Sequence, residues 1–524
     1  MGAGAAATTG VTAAYGHLID PNRKWYNNKR IIYLNFWILL LLITSSTNGY
    51  DGSMMNGLQS LGQWEDYFGH PHGSKLGLLN AIQNIGALAA YPMSPYLADG
   101  LGRRPTIFIG AVIMCIATAV QTASQSVGMF IGARFLIGFG LTFAAGAAPL
   151  LVTEISYPTY RAPLTSTYNS LWYSGAIIAA WATFGSFKIQ STWAWRLPSA
   201  IQALPSVLQV CLIWFCPESP RWLISKGRHT QALKTLAYYH ADGDENDALV
   251  QYEFEEIKAA IDLDRQVAAT VGWKTLFATV GNRRRMRIII ALAFFSQWSG
   301  NGLVSYYLNK VFDTIGITDP TIQLLINGIL QIWNLAWALL ASSLCDKAGR
   351  RVLFLTSCMG MFTFFTLQTA CSAVYAQTGN KAAAHSVIAF IFLYYAAYDL
   401  AFTPLIVSYT VEILPYQIRA KGFTVFNFAI SLSLIFNQYV NPVALDALHW
   451  KYYIVYVVWI AFEGVFVYFF VIETKNRTLE ETAALFDGEE VAQQIAAAAA
   501  ARDLAASEKD EKLSGSFHEH QEKA

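Results

Sequence analysis

The sequence predicts an all-α membrane protein with twelve transmembrane helices in two six-helix halves and with both termini in the cytosol (N-in, C-in). Three observations support this fold class. Of the 524 residues, 54% are apolar and only 14% are charged, whereas an average soluble domain is about 25% charged. Apolar stretches close to the ~20 residues that a helix needs to cross a bilayer recur along the chain. Lysine and arginine are concentrated in alternate connections between these stretches, as expected for cytosolic loops.

The apolar stretches are called spans 1 to 12 and fall into two groups of six, at 31–216 and 288–472. The predicted spans are 31–59, 75–98, 106–124, 129–153, 164–186, 194–216, 288–311, 321–344, 352–377, 386–411, 422–445 and 452–472. The other predicted segments are a cytosolic N-terminal tail at 1–30, a cytosolic linker with short helices at 217–287, and a cytosolic C-terminal tail at 473–524 that is disordered at its end. Segment 1–20 has no basic region followed by an apolar one, so no cleaved signal peptide is predicted.

Charge sets the orientation and excludes other classes of protein. With the N-terminus inside, the short cytosolic stretches carry twelve Lys and Arg residues and the outer connections carry six. A net charge of +1 without a dominant basic patch argues against a nucleic-acid-binding protein. Six Cys in 524 residues argue against a disulfide scaffold.

Three charged motifs occur once in each half, in the same order and at the same depth. The motif pairs are Asp99-Gly-Leu-Gly-Arg103-Arg104 with Asp346-Lys-Ala-Gly-Arg350-Arg351, Glu154 and Arg161 with Glu412 and Arg419, and Pro217-Glu218-Ser219-Pro220-Arg221 with Glu473-Thr474-Lys475-Asn476-Arg477. Such a repeat predicts two parallel halves with the transport site at their interface, which is one of the transporter architectures.

The two motifs that follow spans 6 and 12 resemble the signatures of sugar porters of the major facilitator superfamily. The resemblance extends over roughly residues 30–482. Two further segments, Gly49-Tyr-Asp-Gly-Ser-Met-Met-Asn-Gly57 and Gln297-Trp-Ser-Gly-Asn301, resemble the fungal lactose permease and cellodextrin transporter branch. The resemblance implies the twelve-helix fold and sugar transport by alternating access.

The repeated charges are predicted to form a gate that closes the sugar cavity toward the cytosol. In this hypothesis, carboxylates and arginines of the two halves pair across the seam between them, and the pairs break when this side opens. The alternative is that they are ordinary anchors at the membrane interface. The predicted gate residues are Asp99, Arg103, Glu154, Arg161, Glu218 and Arg221 in the first half, and Asp346, Arg350, Glu412, Arg419, Glu473 and Arg477 in the second half.

Four ionisable residues within the predicted spans stand out, because such residues are costly in a membrane and usually functional. The resemblance implies that Asp51 in span 1 takes up a coupled proton and that Arg134 in span 4 pairs with it. Separation of the two would load a proton and re-pairing would release it, because a nearby cation favours the ionised carboxylate. The alternative is a static salt bridge. Glu463 in span 12 is expected to be structural, and Asp399 in span 10 is either structural or sugar-binding.

The predicted sugar site consists of amides, which suit sugar hydroxyl groups, and of aromatic faces, which suit sugar C–H surfaces. The predicted residues are Asn169, Gln297, Trp298, Asn301, Asn334, Tyr306, Tyr307 and Asp399. The resemblance implies sugar contacts for Asn169, Gln297 and Asn334, and a lid formed by Tyr306 and Tyr307. Ser296, Gly302 and Val407 depart from the family pattern, which suggests a wider or rearranged cavity. Asn427 and Asn437 are expected to bond a neighbouring helix instead.

These observations predict a proton-coupled sugar importer of the plasma membrane, with a disaccharide of the lactose or cellobiose type favoured. A hexose or pentose transporter, a facilitative uniporter and a sugar sensor of the same fold are the alternatives. An enzyme is disfavoured because no metal-spaced His pair, nucleophile elbow or phosphate loop occurs. No cofactor or metal is expected. The expected partners are a sugar, protons and the lipid bilayer, but no nucleic acid, and the functional unit is expected to be a monomer.

Overall fold

The computed structural model describes residues 26–270, 272–475, 482 and 485–487, and these residues are almost entirely α-helical. Within these ranges, nine helical stretches are long and apolar enough to cross a membrane. One of them, Lys421–Phe470, contains both predicted spans 11 and 12. Predicted spans 2 and 5 are helical but are not among the nine. The all-α membrane fold is therefore confirmed, whereas the count of twelve crossings stays a prediction.

Helices occupy every predicted span. Their bounds are Lys29–Leu58 (span 1), Gly73–Ala90 and Ser94–Gly100 (span 2), Arg103–Thr122 (span 3), Val127–Ile155 (span 4), Arg161–Ser186 (span 5), Trp193–Ile201 and Leu204–Leu212 (span 6), Val280–Trp298 and Asn301–Thr314 (span 7), Pro320–Ala348 (span 8), Arg350–Thr378 (span 9), Lys381–Asp399 and Leu405–Ile413 (span 10), Tyr416–Leu448 (span 11) and Tyr452–Phe470 (span 12). Short 3-10 turns lie at Pro158–Tyr160, Ile213–Phe215 and His449–Lys451.

Span 7 begins eight residues before the predicted start at 288, because its first turns are charged but still helical. The Thr279 hydroxyl caps this helix by accepting from the Asn282 backbone N–H at 3.1 Å, which satisfies one of the unpaired N–H groups of a helix start. A hydropathy pattern marks only the apolar part of a helix, and so it places this start too late.

Four spans are interrupted, and proline or glycine explains each interruption. Pro92, Pro205 and Pro404 lie at or near the breaks of spans 2, 6 and 10. Proline interrupts a helix because it lacks an N–H and clashes with the preceding turn. Span 7 breaks at Gly300, whose φ of +97° suits glycine. The predicted break at Pro404 is therefore confirmed.

Small residues let helices of the first half pack at backbone contact. A Cβ atom added at Gly49 of span 1 would lie 1.8 Å from the Trp172 carbonyl oxygen of span 5, and one at Gly175 would lie 1.8 Å from the Ser46 carbonyl oxygen. Close approach at small residues is the usual means of helix association in membranes. Spans 1 and 5 are therefore packed too tightly at this crossing to accept a side chain.

The linker forms helices that pack on the charged end of the first half, which is the end that carries the repeated motifs. Its helices are Pro220–Ser225, His229–His240, Ala248–Thr270 and Thr275–Ala278. A further short helix that is not part of the linker, Gly62–Phe68, follows span 1 at the opposite end of the bundle. The Trp222 indole donates to the Asp99 carbonyl oxygen at 3.0 Å. The predicted linker helices near 228–240 and 246–265 are confirmed.

Candidate transport site and gates

Four buried amides join the two halves at the end of the bundle opposite the charged end. Asn56 Nδ2 of span 1 donates to Asn327 Oδ1 of span 8 at 3.2 Å. Gln59 Nε2 donates to the Tyr306 carbonyl oxygen at 2.9 Å, and Asn309 Nδ2 donates to the Gln59 carbonyl oxygen at 2.9 Å. We call Asn56, Gln59, Asn309 and Asn327 the amide cluster. Since buried polar groups need partners, these bonds hold this end of the seam closed.

Further contacts reinforce the same end. Asn84 of span 2 donates to Gln438 Oε1 of span 11 at 2.6 Å. The Lys310 ammonium lies 3.4 Å from Glu65. Sequence reasoning missed these residues and the amide cluster, although isolated amides in apolar helices were a signal that could have identified them.

The predicted lid tyrosines lie within this closed end. The Tyr307 hydroxyl donates to the Gln438 carbonyl oxygen, and the Tyr307 backbone is non-helical, with φ of −139°. Tyr306 is half-buried, and its carbonyl oxygen accepts the hydrogen bond from the Gln59 amide. Both tyrosines therefore belong to the closed end of the seam, and their role as a lid stays a prediction.

At the charged end, the first half forms a self-contained ion-pair network. Arg103 donates from Nε and Nη2 to the two oxygens of Glu154, at 3.1 and 3.2 Å. Arg103 Nη1 donates to Asp99 Oδ1 at 3.2 Å. The Glu218 carboxylate accepts from the backbone N–H groups of Arg103 and Arg104 at 3.1 and 3.2 Å, where it also complements the positive end of the span 3 helix dipole.

The second half repeats this network. Arg350 donates from Nε and Nη2 to Glu412 Oε1, at 3.3 and 3.1 Å. The Glu473 carboxylate accepts from the backbone N–H groups of Arg350 and Arg351 at 2.9 and 3.0 Å. Glu412 Oε2 also accepts from the Thr474 hydroxyl at 2.5 Å. The repeat seen in the sequence is therefore a repeat of hydrogen-bond geometry.

Each network needs a glycine before its first arginine. Gly102 and Gly349 have φ of +112° and +93°, a region that other residues rarely adopt. A Cβ atom there would lie 2.6 Å from Glu218 Oε2 and 2.7 Å from Glu473 Oε2, respectively. Backbone angle and carboxylate approach both exclude a side chain at these two positions.

The two capping carboxylates differ in their pKa. Burial raises the pKa of Glu218 above its usual value, although N–H groups such as that of Ser219 oppose the shift. Burial acts in the same direction on Glu473, but the N–H groups of Lys475 and of the motif arginines outweigh it, and so the pKa of Glu473 is lowered. The first-half carboxylate is therefore the easier one to protonate.

The predicted pairing across the seam stays a prediction, because such pairs are expected to be broken when this end is open. The ion pairs described for Arg103 and Arg350 lie within one half. Arg161 and Arg221 bind linker carboxylates, Glu253 at 3.5 Å and Asp264 at 2.5 Å, respectively. Arg419 Nε donates to the Leu414 carbonyl oxygen at 3.2 Å. The Asp346 side chain and Arg477 lie outside the described residues.

The predicted proton-coupling residues are both buried, and each is hydrogen-bonded to an amide side chain. Asp51 Oδ1 accepts from the Gln202 amide, and Asp51 Oδ2 has no hydrogen-bond partner. Arg134 donates to the Leu79 carbonyl oxygen at 2.9 Å and to Gln83 Oε1 at 2.7 Å, while its Nη1 has no partner. The ion pairs found in the described part of the chain include none between the two residues. The implied direct pair is therefore absent in this conformation, because amides occupy both partners.

The break in span 7 is held by tyrosines of span 10. The hydroxyls of Tyr394, Tyr395 and Tyr398 donate to the carbonyl oxygens of Ser299, Asn301 and Ser296, at 2.7, 2.8 and 2.6 Å. A break leaves carbonyl groups without helical partners, and buried carbonyl groups need donors. Asn301 Nδ2 joins the same group by donating to the Ser296 carbonyl oxygen at 3.0 Å.

Two predicted sugar-binding amides keep a free acceptor. Asn301 Oδ1 in span 7 and Asn334 Oδ1 in span 8 are buried and have no hydrogen-bond partner. Gln297 is half-buried, and its Nε2 donates to the Ser296 hydroxyl at 3.2 Å. The Asn169 side chain lies outside the described residues. Unpartnered buried acceptors suit sugar hydroxyl donors.

Trp298 packs differently from the prediction. Its ring centroid lies 5.1 Å from that of Phe436 and 4.8 Å from that of Trp459, in spans 11 and 12. The ring is therefore used in aromatic packing within the second half. Stacking of Trp298 on a sugar is not supported by this contact.

The glycine at 302, which departs from the family pattern, is explained by a side chain of span 11. Asn437 Nδ2 donates to the Gln297 carbonyl oxygen at 2.5 Å. A Cβ atom at Gly302 would lie 1.9 Å from Asn437 Nδ2. The Asn437 amide therefore occupies the space that a side chain at 302 would need, in line with its predicted bond to a neighbouring helix.

Asp399 and Glu463 are both fully buried. Asp399 Oδ1 accepts from the Tyr173 hydroxyl of span 5 at 2.7 Å, which is a contact across the seam. Glu463 Oε1 accepts from Ser299 at 3.2 Å, next to the span 7 break. The Glu463 contact lies within the second half and fits its predicted structural role.

Comparison with known proteins agrees with this architecture. Residues 37–486 match the family model described as Sugar (and other) transporter. The chain is 27% identical to the high-affinity glucose transporter of Kluyveromyces lactis over 457 residues, which cover 83% of this chain and 81% of that protein. It is 29% identical to the MFS-type transporter oryC of Aspergillus oryzae over 461 residues, which cover 86% and 85%.

Solved structures show the same fold. The inward-open conformation of the xylose transporter XylE from E. coli superposes with a TM-score of 0.72 at 23% identity, covering 87% of this chain and all of that chain. The proton:xylose symporter XylE bound to 6-bromo-6-deoxy-D-glucose superposes with a TM-score of 0.67 at 25% identity, covering 87% and 99%. These relatives are transporters and not enzymes. The chain is a multi-pass membrane protein that belongs to the sugar porters of the major facilitator superfamily.

Proposed function

We propose that this sugar transporter imports its substrate together with protons by alternating access across the plasma membrane, as a monomer. The observation that carries the proposal is the pair Asp51 and Arg134. Both are buried, neither is ion-paired with the other, and each has one unpartnered polar atom. A facilitative transporter has no need of a buried carboxylate and guanidinium placed in this way.

The coupling step follows from the energetics of a buried carboxylate. Without a cation at contact distance, burial favours the protonated form of Asp51, whereas direct contact with Arg134 favours the ionised form. Gln202 and Gln83 occupy the two partners in the present conformation. A motion that exchanges these amide bonds for a direct ion pair would expel the proton on the side that is open.

The state of the seam supports alternating access. The amide cluster closes one end, while the described charged networks at the other end are satisfied within each half. This is the arrangement expected of a carrier that is open toward the charged end, and the similarity to inward-open XylE agrees with it. The gate residues would act by holding each half's helix ends rigid while the halves move.

A disaccharide is the proposed substrate, on the resemblance of the span 1 and span 7 segments to the lactose and cellodextrin branch. A monosaccharide is the second candidate, because the curated relatives include a glucose transporter and hexose transporters. Uptake of a panel of labelled sugars by a transport-deficient host decides between them. Uptake of glucose without any disaccharide would overturn the disaccharide proposal.

The substitution Asp51→Asn tests proton coupling. Because Asn resembles a permanently protonated Asp, accumulation against a gradient should be abolished, while sugar exchange should persist. Parent uptake should rise as the external pH falls, and this pH dependence should flatten in the variant. Labelled-sugar accumulation with and without a protonophore measures both effects.

The control for this test is Asp66→Asn, which changes an exposed aspartate and should accumulate sugar like the parent. Continued accumulation by Asp51→Asn, together with parent uptake that ignores the protonophore, would show that the chain is a facilitative transporter.

A further inference from the structure

Two amide side chains connect span 3 to the buried carboxylate of span 1. Gln121 Nε2 donates to Gln202 Oε1 at 3.2 Å, and the Gln202 amide donates to Asp51 Oδ1. All three residues are buried, with at most 1% of their surface exposed. Gln121 lies in the last turn of span 3, and Gln202 lies at the break of span 6. The bond made by Gln121 therefore acts on Asp51 through Gln202.

Gln121 leaves one of its own polar atoms unsatisfied. Its Oε1 is buried and has no hydrogen-bond partner. Buried polar atoms nearly always have partners, so each exception needs an explanation. Packing alone does not explain an amide here, because an apolar side chain of the same length would fill the space without an unpaired acceptor.

The second half has a matching glutamine that lacks such a bond. Gln368 in span 9 lies at the same distance after Arg350 as Gln121 lies after Arg103. It is equally buried, but neither its Nε2 nor its Oε1 has a hydrogen-bond partner. A packing role would be common to both glutamines. The bond to an amide that donates to a carboxylate is particular to Gln121.

The orientation of the Gln202 amide decides which form of Asp51 it suits. An ionised carboxylate only accepts hydrogen bonds, whereas a protonated one also donates. The Gln202 amide presents its NH2 group to Asp51, which suits the ionised form. If the amide were turned over, its oxygen would face Asp51, and its NH2 group would face the NH2 group of Gln121. Because two donors do not bond each other, Gln121 opposes this turn.

We propose that Gln121 is a positioning residue of the proton site: its bond to Gln202 holds that amide in the orientation that donates to Asp51. This inference rests on the proposed proton coupling and adds a residue of span 3 to it. A hydrogen bond donated to the ionised carboxylate favours that form. Gln121 therefore sets the external pH at which Asp51 takes up its proton, and it assists release of the proton inside.

Other titratable groups also face this site. In the described part of the chain, Tyr50 and Arg134 interact with Asp51, and Tyr307 of span 7 interacts with Arg134. The described hydrogen bonds of these three side chains do not involve Gln121. Substitution of Gln121 therefore leaves those bonds in place and changes the amide orientation alone.

The test is the pH dependence of labelled-sugar uptake by the full chain. Gln121→Met keeps the length of the side chain but loses the donor. The pH of half-maximal uptake should rise by about half a unit to one unit, because hydrogen bonds to charged groups exceed neutral ones by about this much. This midpoint does not depend on how much transporter reaches the membrane. The matched control Gln368→Met makes the same change at the equivalent position and should keep the parent's midpoint.

A double substitution shows whether Gln121 acts through Gln202. Gln202→Met alone should also raise the midpoint, and adding Gln121→Met should raise it no further. If Gln121→Met does not reach the membrane, Gln121→Leu removes the same donor and replaces it in both measurements.

Three results overturn the proposal: an unchanged midpoint in the Gln121 variant, an equal rise in Gln368→Met, and a further rise in the double variant. They do so without touching the proposed function, as long as parent uptake depends on pH and on the proton gradient. Parent uptake that ignores both pH and a protonophore refutes the proposed coupling itself, which Asp51→Asn tests separately.

Discussion

The charged ends of the two halves have the same internal geometry but different external attachments. In each half an arginine binds a glutamate of its own half, and a second glutamate caps the following helix through two backbone N–H groups. The first half is then attached to the linker, where His240 and Arg161 both bind Glu253. The second half is attached to the chain after span 12, where Asp487 binds the buried Arg285 at 2.7 Å. The repeated motif keeps each half rigid, and the attachments distinguish the halves.

The largest effect is expected from disrupting the arginine–glutamate pair that both halves share. Arg103→Ala and Arg350→Ala each leave a partly buried glutamate without its cation, and loss of one partner of a buried pair costs about 3–5 kcal/mol. Both variants should lose at least tenfold in initial uptake per transporter delivered to the membrane. Uptake and surface delivery are measured side by side. Normal uptake by one variant alone would show that the two networks are not equivalent.

A smaller effect is expected from the attachment of the second half. Asp487→Asn removes a carboxylate that accepts two bonds from Arg285, at 2.9 and 2.7 Å. The buried guanidinium then loses charged partners, at a cost of about 1–3 kcal/mol. The melting temperature in detergent should fall by a few degrees, with Asp66→Asn, an exposed aspartate at the other end, as a control for charge. An unchanged melting temperature would contradict a structural role for this attachment.

The attachment of the first half to the linker is expected to depend on His240. His240 Nδ1 lies 2.6 Å from Glu253 and its Nε2 lies 3.2 Å from the Ile155 carbonyl oxygen. The Arg161 guanidinium and the Tyr157 ring also face this site.

Loss of these contacts should weaken the docking of the linker on the first half. Hydrogen exchange of segment 229–240 should therefore be faster in His240→Ala than in the parent. Equal exchange rates in the two proteins would contradict a role of His240 in this attachment.

The smallest effect is expected from the capping carboxylates. The raised pKa of Glu218 means that its charge opposes folding at neutral pH, and this cost declines as pH falls. The lowered pKa of Glu473 means that its charge contributes stability, which is lost as pH falls through that pKa. At pH 7, Glu218→Gln should therefore destabilise the protein less than Glu473→Gln, as measured by melting temperature. The reverse order would contradict the assigned shifts.

The sequence was sufficient for the fold because hydropathy and the repeated motifs act locally. The turn at Gly102 follows from residues of one half, whereas the pairing of Arg103 with Glu154 was not predicted. Contacts across the seam were not predictable in the same way. Asn56 and Asn327 are 271 residues apart, and their pairing depends on how the halves are placed.

The sequence predicted which types of residue form the site better than it predicted their spatial arrangement. The sequence placed Asp51 and Arg134 in the membrane, but it carries no local signal that Gln202 and Gln83 are their hydrogen-bond partners. It likewise gave no sign that Trp298 would pack on Phe436. Three-dimensional packing alone decides which neighbour each of these side chains contacts.

The tyrosine-held break of span 7 determines which part of that helix is able to swing. Three hydroxyl bonds attach the segment 296–301 to span 10. The break is therefore rigid and moves together with span 10. The next departure from helical geometry is at Tyr307. We infer that the hinge of span 7 lies there: the outer turn that carries Asn309 opens and closes, while the amides at Gln297 and Asn301 stay in place.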